Sequence, residues 1–283
     1  RVGNAGAVTL RSPFDGRVMF VLPWGETTIV GTTDTDYDGS PDDVRADGDD
    51  ITYLLRSANA VFPNARLQRG DVIAAWAGLR PLLGDGPANA SAVPREHKIV
   101  ESASGLITIA GGKLTTYRSM AAQLVNLVAR KLRRLDGRRL PARAATDTEP
   151  LPGGDVADLE ALARELEKEG VPSGAADHLV HTYGGEATAV ANLAADDPAL
   201  AGPLIAGGPW LRAEVVHHAR REMALTVGDV LVRRLHLFHA HPTRGVGVAR
   251  TVAGLLSREL GWDDTAAALA AERYVAEVTR PAP

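Results

Sequence analysis

The chain has 283 residues, a net charge of −4, 45% hydrophobic and 23% charged side chains, and no cysteine. That balance is ordinary for a soluble globular protein long enough for two domains, and it excludes disulfides and thiolate metal sites. It gives no electrostatic reason to expect a nucleic-acid partner, and no apolar run approaches the ~18 residues of a membrane-spanning helix.

The chain opens on Arg1 without a methionine or a signal-like segment, as expected of a piece of something longer. Its first part reads as strands. Ala7 to Arg11, Arg17 to Trp24 and Thr27 to Thr33 are apolar or β-branched runs. Phe14-Asp-Gly16 turns the first pair, and Gly25-Glu26 makes a tight hairpin of the second. Asp49 to Phe62 then changes to helical spacing, with Ile51, Leu54, Leu55, Ala58 and Val61 on one face. Val72 to Ala77 is a short apolar run that ends in Gly78-Leu-Arg-Pro81.

Gly105 to Ala110 reads as a strand and Leu114 to Leu135 as an amphipathic helix, joined by Gly111, Gly112 and Lys113. Residues 136–154 are rich in Gly, Pro and Arg and read as a linker. Beyond it helical spacing recurs at about 155–170, 174–196, 209–223, 226–240, 243–261 and 263–279, with a Thr226/Asp229 capping box. The division expected is therefore 1–135, a linker at 136–154, and an all-α domain at 155–283.

Several motifs have a plainer reading than their first appearance. Asp34, Asp36 and Asp38 with Gly39 start like a calcium loop, but position 12 is Arg45 and Pro41 interrupts, so a solvated acidic turn is expected. Gly245-Val-Gly247 has Arg250 where a dinucleotide fingerprint needs its third glycine, and no G-x-G-x-x-G occurs anywhere. His178/His181, His217/His218 and His236/His239/His241 lack companion ligands at metal spacing and are expected on the surface or between helices. Arg130, Lys131, Arg133 and Arg134, followed by Arg138, Arg139 and Arg143, have two readings. They complement a helix dipole, or they meet an anionic membrane surface, worth ~1 kcal/mol per residue near lipid.

The block Gly111-Gly-Lys-Leu-Thr-Thr-Tyr-Arg118 is the most informative stretch. Two glycines let the backbone pass close to a ligand, and the unpaired amides of a first helical turn favour an electron-rich group. Lys113 adds a full positive charge. The expected guest is anionic, or becomes so during a reaction. Arg80 and Arg95, each beside a proline, join Lys113 as three cations able to serve one anion site.

In this order, Leu22-Pro-Trp24, Ile29-Val-Gly-Thr-Thr-Asp34, Ala77-Gly-Leu-Arg-Pro-Leu82, the 111–118 block and Leu151-Pro-Gly-Gly154 resemble flavin-dependent, quinone-linked glycerol-3-phosphate dehydrogenase. Weaker matches at Thr182-Tyr-Gly184, Ala213-Glu-Val215, Thr226 to Arg234 and Glu259 to Trp262 extend the resemblance over nearly the whole chain. It implies an α+β fold. The β-rich part belongs to the substrate domain of an FAD oxidoreductase, ends in a strand–Gly-Gly–helix unit, and precedes the all-α domain. It also implies that this chain is the C-terminal portion, with the FAD fingerprint upstream.

By the same resemblance, Gly111, Gly112, Lys113, Leu114 and Thr115 contact FAD. Arg80, Arg95 and Lys113 bind substrate, and Arg80 and Lys113 serve catalysis; His97 is a weaker candidate base. The implied reaction oxidises glycerol 3-phosphate to dihydroxyacetone phosphate and passes electrons to quinone. The implied setting is cytoplasmic, peripheral at the inner face of the cell membrane through Arg130–Arg143, with a homodimer as a possible assembly. Two alternatives stand beside it: an interaction module without catalysis, and a related flavin oxidase acting on another anionic substrate.

Overall fold

A computed structural model describes residues 2–80, 83, 96–140 and 144–280. Its residues group into two units, the first built from Arg1–Thr35, Asp42–Ala77 and Pro152–Pro283, the second from Asp36–Pro41 and Gly78–Leu151. The class is α+β, as expected.

The first unit begins with three antiparallel strands, β1 (Val8–Arg11), β2 (Val18–Trp24) and β3 (Thr27–Gly31), in that order across the sheet. Trp24 pairs with Thr27 across the Gly25-Glu26 turn, so the two-residue hairpin is present. Alternation sets the register. Val8, Val21 and Val30 align on one face, where Met19 and Val21 are fully buried together with Ala58 of α1 (Gly48–Val61). Helix α1 starts where a carboxylate satisfies its free amides: Asp47 accepts from the Asp49 and Asp50 amides at 2.8 Å each. Asp50 in turn accepts from the Asp47 amide at 3.2 Å.

The apolar run Val72–Ala77 forms no regular element. Arg244 holds it instead: its Nε donates to the Ile73 carbonyl at 2.6 Å and its Nη1 to the Val278 carbonyl at 2.8 Å. Alongside, Trp76 meets His239 edge-on with ring centroids 4.6 Å apart, and Trp24 meets His236 at 5.9 Å.

The helical body of this unit comprises α3 (Leu159–Lys168), α4 (Ser173–Tyr183), α5 (Ala187–Asp196), α6 (Arg212–Arg221), α7 (Leu237–Ala240), α8 (Ala249–Leu260) and α9 (Asp264–Thr279). Helix α6 packs between α5 and α8, α8 packs on α9, and α3 on α4, around a continuous aliphatic core. Two expected helices differ. The 174–196 stretch breaks at Gly184, where α4 ends, and resumes at Ala187. The 226–240 stretch is a π-helical segment, Asp229–Arg234, and then α7, because His236 takes φ 55° and ends the first piece. Its expected cap is present: the Asp229 amide donates to Thr226 Oγ1 at 3.0 Å, and the Thr226 amide to Asp229 Oδ2 at 2.9 Å.

One polar cluster lies inside this body. Glu214 is fully buried on α6 and accepts three hydrogen bonds: from the Leu211 amide at 2.6 Å, Tyr183 Oη at 2.7 Å and His178 Nε2 at 2.8 Å. Since Tyr183 gives its one proton to the carboxylate, His218 Nε2 must donate to Tyr183 Oη at 2.7 Å. That leaves His218 Nδ1 unprotonated, buried and, among the described residues, without a partner. The histidines expected between helices are thus held by hydrogen bonds and burial.

Burial, followed by the charge of Arg234, lowers the His218 pKa from 6.5 to about 3. The folded protein keeps this ring neutral while the unfolded chain protonates it below about 6.5. Its contribution to stability is therefore present above pH ~6.5 and is lost as pH falls from there toward about 3. Burial also lowers the pKa of His217 and of His239. Urea unfolding at pH 7 and pH 5 is expected to show a loss of ~2 kcal/mol from His218 alone, reduced in His218→Gln. A pH-independent midpoint contradicts this assignment.

Candidate functional site

The second unit contains the Gly-Gly-Lys block. Strands β4 (His97–Glu101) and β5 (Ile107–Gly111) form an antiparallel pair with register His97↔Gly111 through Glu101↔Ile107. Strand β4 is absent from the sequence expectation. Its Lys98-Ile99-Val100 core was the available signal, a β-branched pair in a short run. From β5 the chain passes through Gly112 and Lys113 into a 3-10 turn at Leu114–Thr116, and then into α2 (Tyr117–Asp136). The strand–Gly-Gly–helix unit is present, with a tighter turn where the α-helix was expected to begin.

Gly111 and Gly112 have φ of 77° and 86°, in the region that side chains disfavour. A Cβ on Gly111 would lie 2.8 Å from the Glu96 carbonyl oxygen and 3.1 Å from Leu83. One on Gly112 would lie 2.5 Å from Met120 and 3.2 Å from the His97 Cβ. The close approach at these glycines is therefore the protein's own packing. It seats β4 and the start of α2 against the turn and leaves the outer side of the Lys113–Thr115 segment to solvent.

That outer side has the character of a ligand edge. Lys113, Leu114 and Thr115 are exposed, Leu114 at 88%. The Leu114 and Thr115 amides open the turn and donate to no acceptor among the described residues, whereas the Thr116 amide reaches the Lys113 carbonyl at 3.0 Å. Two free amides and an ammonium at the head of a 20-residue helix give the edge a positive potential. These residues fit the electron-rich edge of a flavin ring, with Leu114 offering an apolar surface.

The structure brings Gly111, Gly112, Lys113, Leu114 and Thr115 together as one continuous edge, and adds His97. The ring of His97 sits beside this turn and its Nε2 lies 3.0 Å from Gln123 Oε1. Arg80 is exposed and belongs to the same unit. Arg95 lies outside the described residues.

Part of the basic run has internal duties. Lys131 donates to Glu101 at 2.6 Å and to the Gly105 carbonyl at 2.7 Å, and Arg133 to the Leu140 carbonyl at 2.8 Å. Arg130, Arg134 and Arg139 are exposed without hydrogen-bond or ion-pair partners among the described residues. Arg143 lies outside them. No helix among the described residues is long and apolar enough to cross a membrane.

Comparison with known proteins assigns a class. Residues 4–118 match the FAD dependent oxidoreductase family, and residues 144–267 match the C-terminal domain of alpha-glycerophosphate oxidase. The two matches lie in tandem along the chain and do not overlap.

Its relatives are glycerol-3-phosphate dehydrogenases. Glycerol-3-phosphate dehydrogenase 2 of Mycobacterium tuberculosis is 37% identical over 269 residues, 93% of this chain and 44% of that protein. The mitochondrial glycerol-3-phosphate dehydrogenase of Homo sapiens is 37% identical over 256 residues, 88% of this chain and 34% of that protein. The X-ray structure of the glycerol-3-phosphate dehydrogenase from Bacillus halodurans complexed with FAD superposes with a TM-score of 0.80 at 30% identity, covering 97% of this chain and 53% of that one. The chain thus spans less than half the length of the curated relatives described.

Replacing Gly111 by alanine forces a side chain into a left-handed conformation and against the Glu96 carbonyl. The expected cost is about 2 kcal/mol or more, read by urea unfolding. A neutral Gly111→Ala would contradict the packing described.

Proposed function

We propose that this chain supplies the substrate-facing and helical portions of an FAD-dependent glycerol-3-phosphate dehydrogenase, acting together with an FAD-binding portion of the longer polypeptide. The observation that carries this reading is the exposed Lys113–Thr115 edge: a cation and two unpaired amides at a helix start, within a segment that matches FAD-dependent oxidoreductases. In this reading residues 1–135 face cofactor and substrate, 136–154 link, and 155–283 form the all-α domain.

Bound FAD supplies the acceptor for the hydride leaving C2 of glycerol 3-phosphate, and the C2 hydroxyl proton leaves to a base, giving dihydroxyacetone phosphate. This chain's residues hold the reactants and the charge. Gly111 and Gly112 set the turn that presents Lys113, Leu114 and Thr115 to the flavin. Lys113 and the two amides stabilise negative charge there, a preorganised electrostatic role. Arg80 and Arg95 bind the phosphate end of the substrate, since a guanidinium matches phosphate in a bidentate geometry. Lys113 stands where it can reach both ligands. His97, beside the glycine turn, is the nearby histidine suited to holding a proton.

Quinone is the proposed final acceptor, and that choice fits Arg130, Arg134 and Arg139, which are unpaired among the described residues. On an anionic membrane surface these three supply attraction where the acceptor dissolves. The setting proposed is the inner face of the cell membrane, with peripheral contact.

Arg80→Ala, made in the protein joined to its FAD-binding portion, is the test. The expected result is an apparent KM for glycerol 3-phosphate raised tenfold or more, with FAD content unchanged. An unchanged KM removes Arg80 from the phosphate site.

A further inference from the structure

The helical body has a recess of its own, about 350 Å³ in volume, whose lining includes Thr182 and Tyr183 of α4, Glu186, and His217, Arg221 and Glu222 at the end of α6. All of these residues belong to the first unit, whereas Lys113 and Arg80 belong to the second. The volume is at the small end of ligand sites and suits a molecule of a few carbons.

Of the polar groups around it, Tyr183 Oη is engaged with Glu214 and His218, and Thr182 Oγ1 lies 3.4 Å from His178 Nδ1. His217 is only 3% exposed, yet it makes no hydrogen bond among the described residues; its nearest carboxylate oxygen is Glu222 Oε1 at 3.8 Å. A ligand group in the recess would give this ring a hydrogen-bond partner. Burial lowers the His217 pKa below 6.5, so at neutral pH the ring is uncharged and presents one donor and one acceptor. Glu222 is neutralised on its other oxygen by Arg234 at 3.1 Å, which leaves Oε1 as an acceptor. Arg221 and Glu186 are exposed at the rim, and neither has an ion-pair partner among the described residues.

This set selects a ligand class. With Glu222 offset by Arg234, the recess offers one cation, one anion and a neutral imidazole. A bare anion meets Glu186, and a bare cation meets Arg221. A molecule with one anionic group and neighbouring hydroxyls satisfies both: the guanidinium takes the anion, while Glu186, Glu222 Oε1 and His217 engage the hydroxyls. We propose that this recess binds a small polyol bearing one phosphate or carboxylate. The proposal does not rest on the dehydrogenase reading.

Isothermal titration of the 283-residue chain with sn-glycerol 3-phosphate and with glycerate tests it and separates the two anionic groups. Saturable binding of at least one is expected, weakened about tenfold or more by Arg221→Ala and by Glu186→Gln. Both positions are exposed, so an unchanged Tm in each variant verifies folding. Absence of saturable binding to either probe overturns the proposal, as does binding that survives Arg221→Ala. Equal affinity for inorganic phosphate alone would reduce the recess to a lone arginine and overturn the polyol assignment. Binding abolished by Arg80→Ala would move the site to the second unit.

Discussion

Between β5 and α2 the backbone runs through two consecutive residues at φ of 77° and 86°, with the Glu96 carbonyl and Met120 occupying the space where side chains would stand. This constraint organises the site. It lets β5 stop against β4 and the 3-10 turn start three residues on, with α2 following at Tyr117, so the register His97↔Gly111 and the helix start are joined by one turn. It also forces Lys113, Leu114 and Thr115 outward, because the inner side is already filled. The charge on Lys113 and the unpaired amides behind it follow from that geometry.

The first unit is held by a different kind of interaction. Glu214 is a carboxylate taken wholly out of water, tolerable because three donors meet it, two from α4 and one from the chain just before α6. Removing it would strand an amide, a phenol and an imidazole together in the core. Burial and the Glu214 charge in turn hold the Tyr183 phenol well above its ordinary range, so it acts as a donor at every accessible pH. Arg244 does comparable work at the edge of the body by tying the irregular segment after α1 to α9 through two carbonyls.

Much of this was legible in the chain because its signals are local. The Gly25-Glu26 turn, the helical spacing from Asp49, the Thr226/Asp229 cap and the glycine pair before α2 each depend on residues within a few positions. What was not legible depends on distant partners. Strand β4 is short and bears polar ends, so only its pairing with β5 makes it a strand. The Glu214 cluster joins positions 31 to 36 residues apart, and single-residue spacing gave no sign that His178 and His218 share it. The irregular Val72–Ala77 run depends on Arg244, 171 residues away. The glycines were anticipated for a ligand's close approach; the structure adds that Glu96 and Met120 stand where their side chains would be.

The proposed role of the Lys113–Thr115 edge is to face the flavin and favour its electron-rich state. The direct measurement is the FAD midpoint potential of Lys113→Met in the protein joined to its FAD-binding portion. Loss of the ammonium is expected to lower that potential by roughly 30 mV or more, the two-electron equivalent of ~1.4 kcal/mol. A variant that keeps full FAD content and an unchanged potential would contradict the claim.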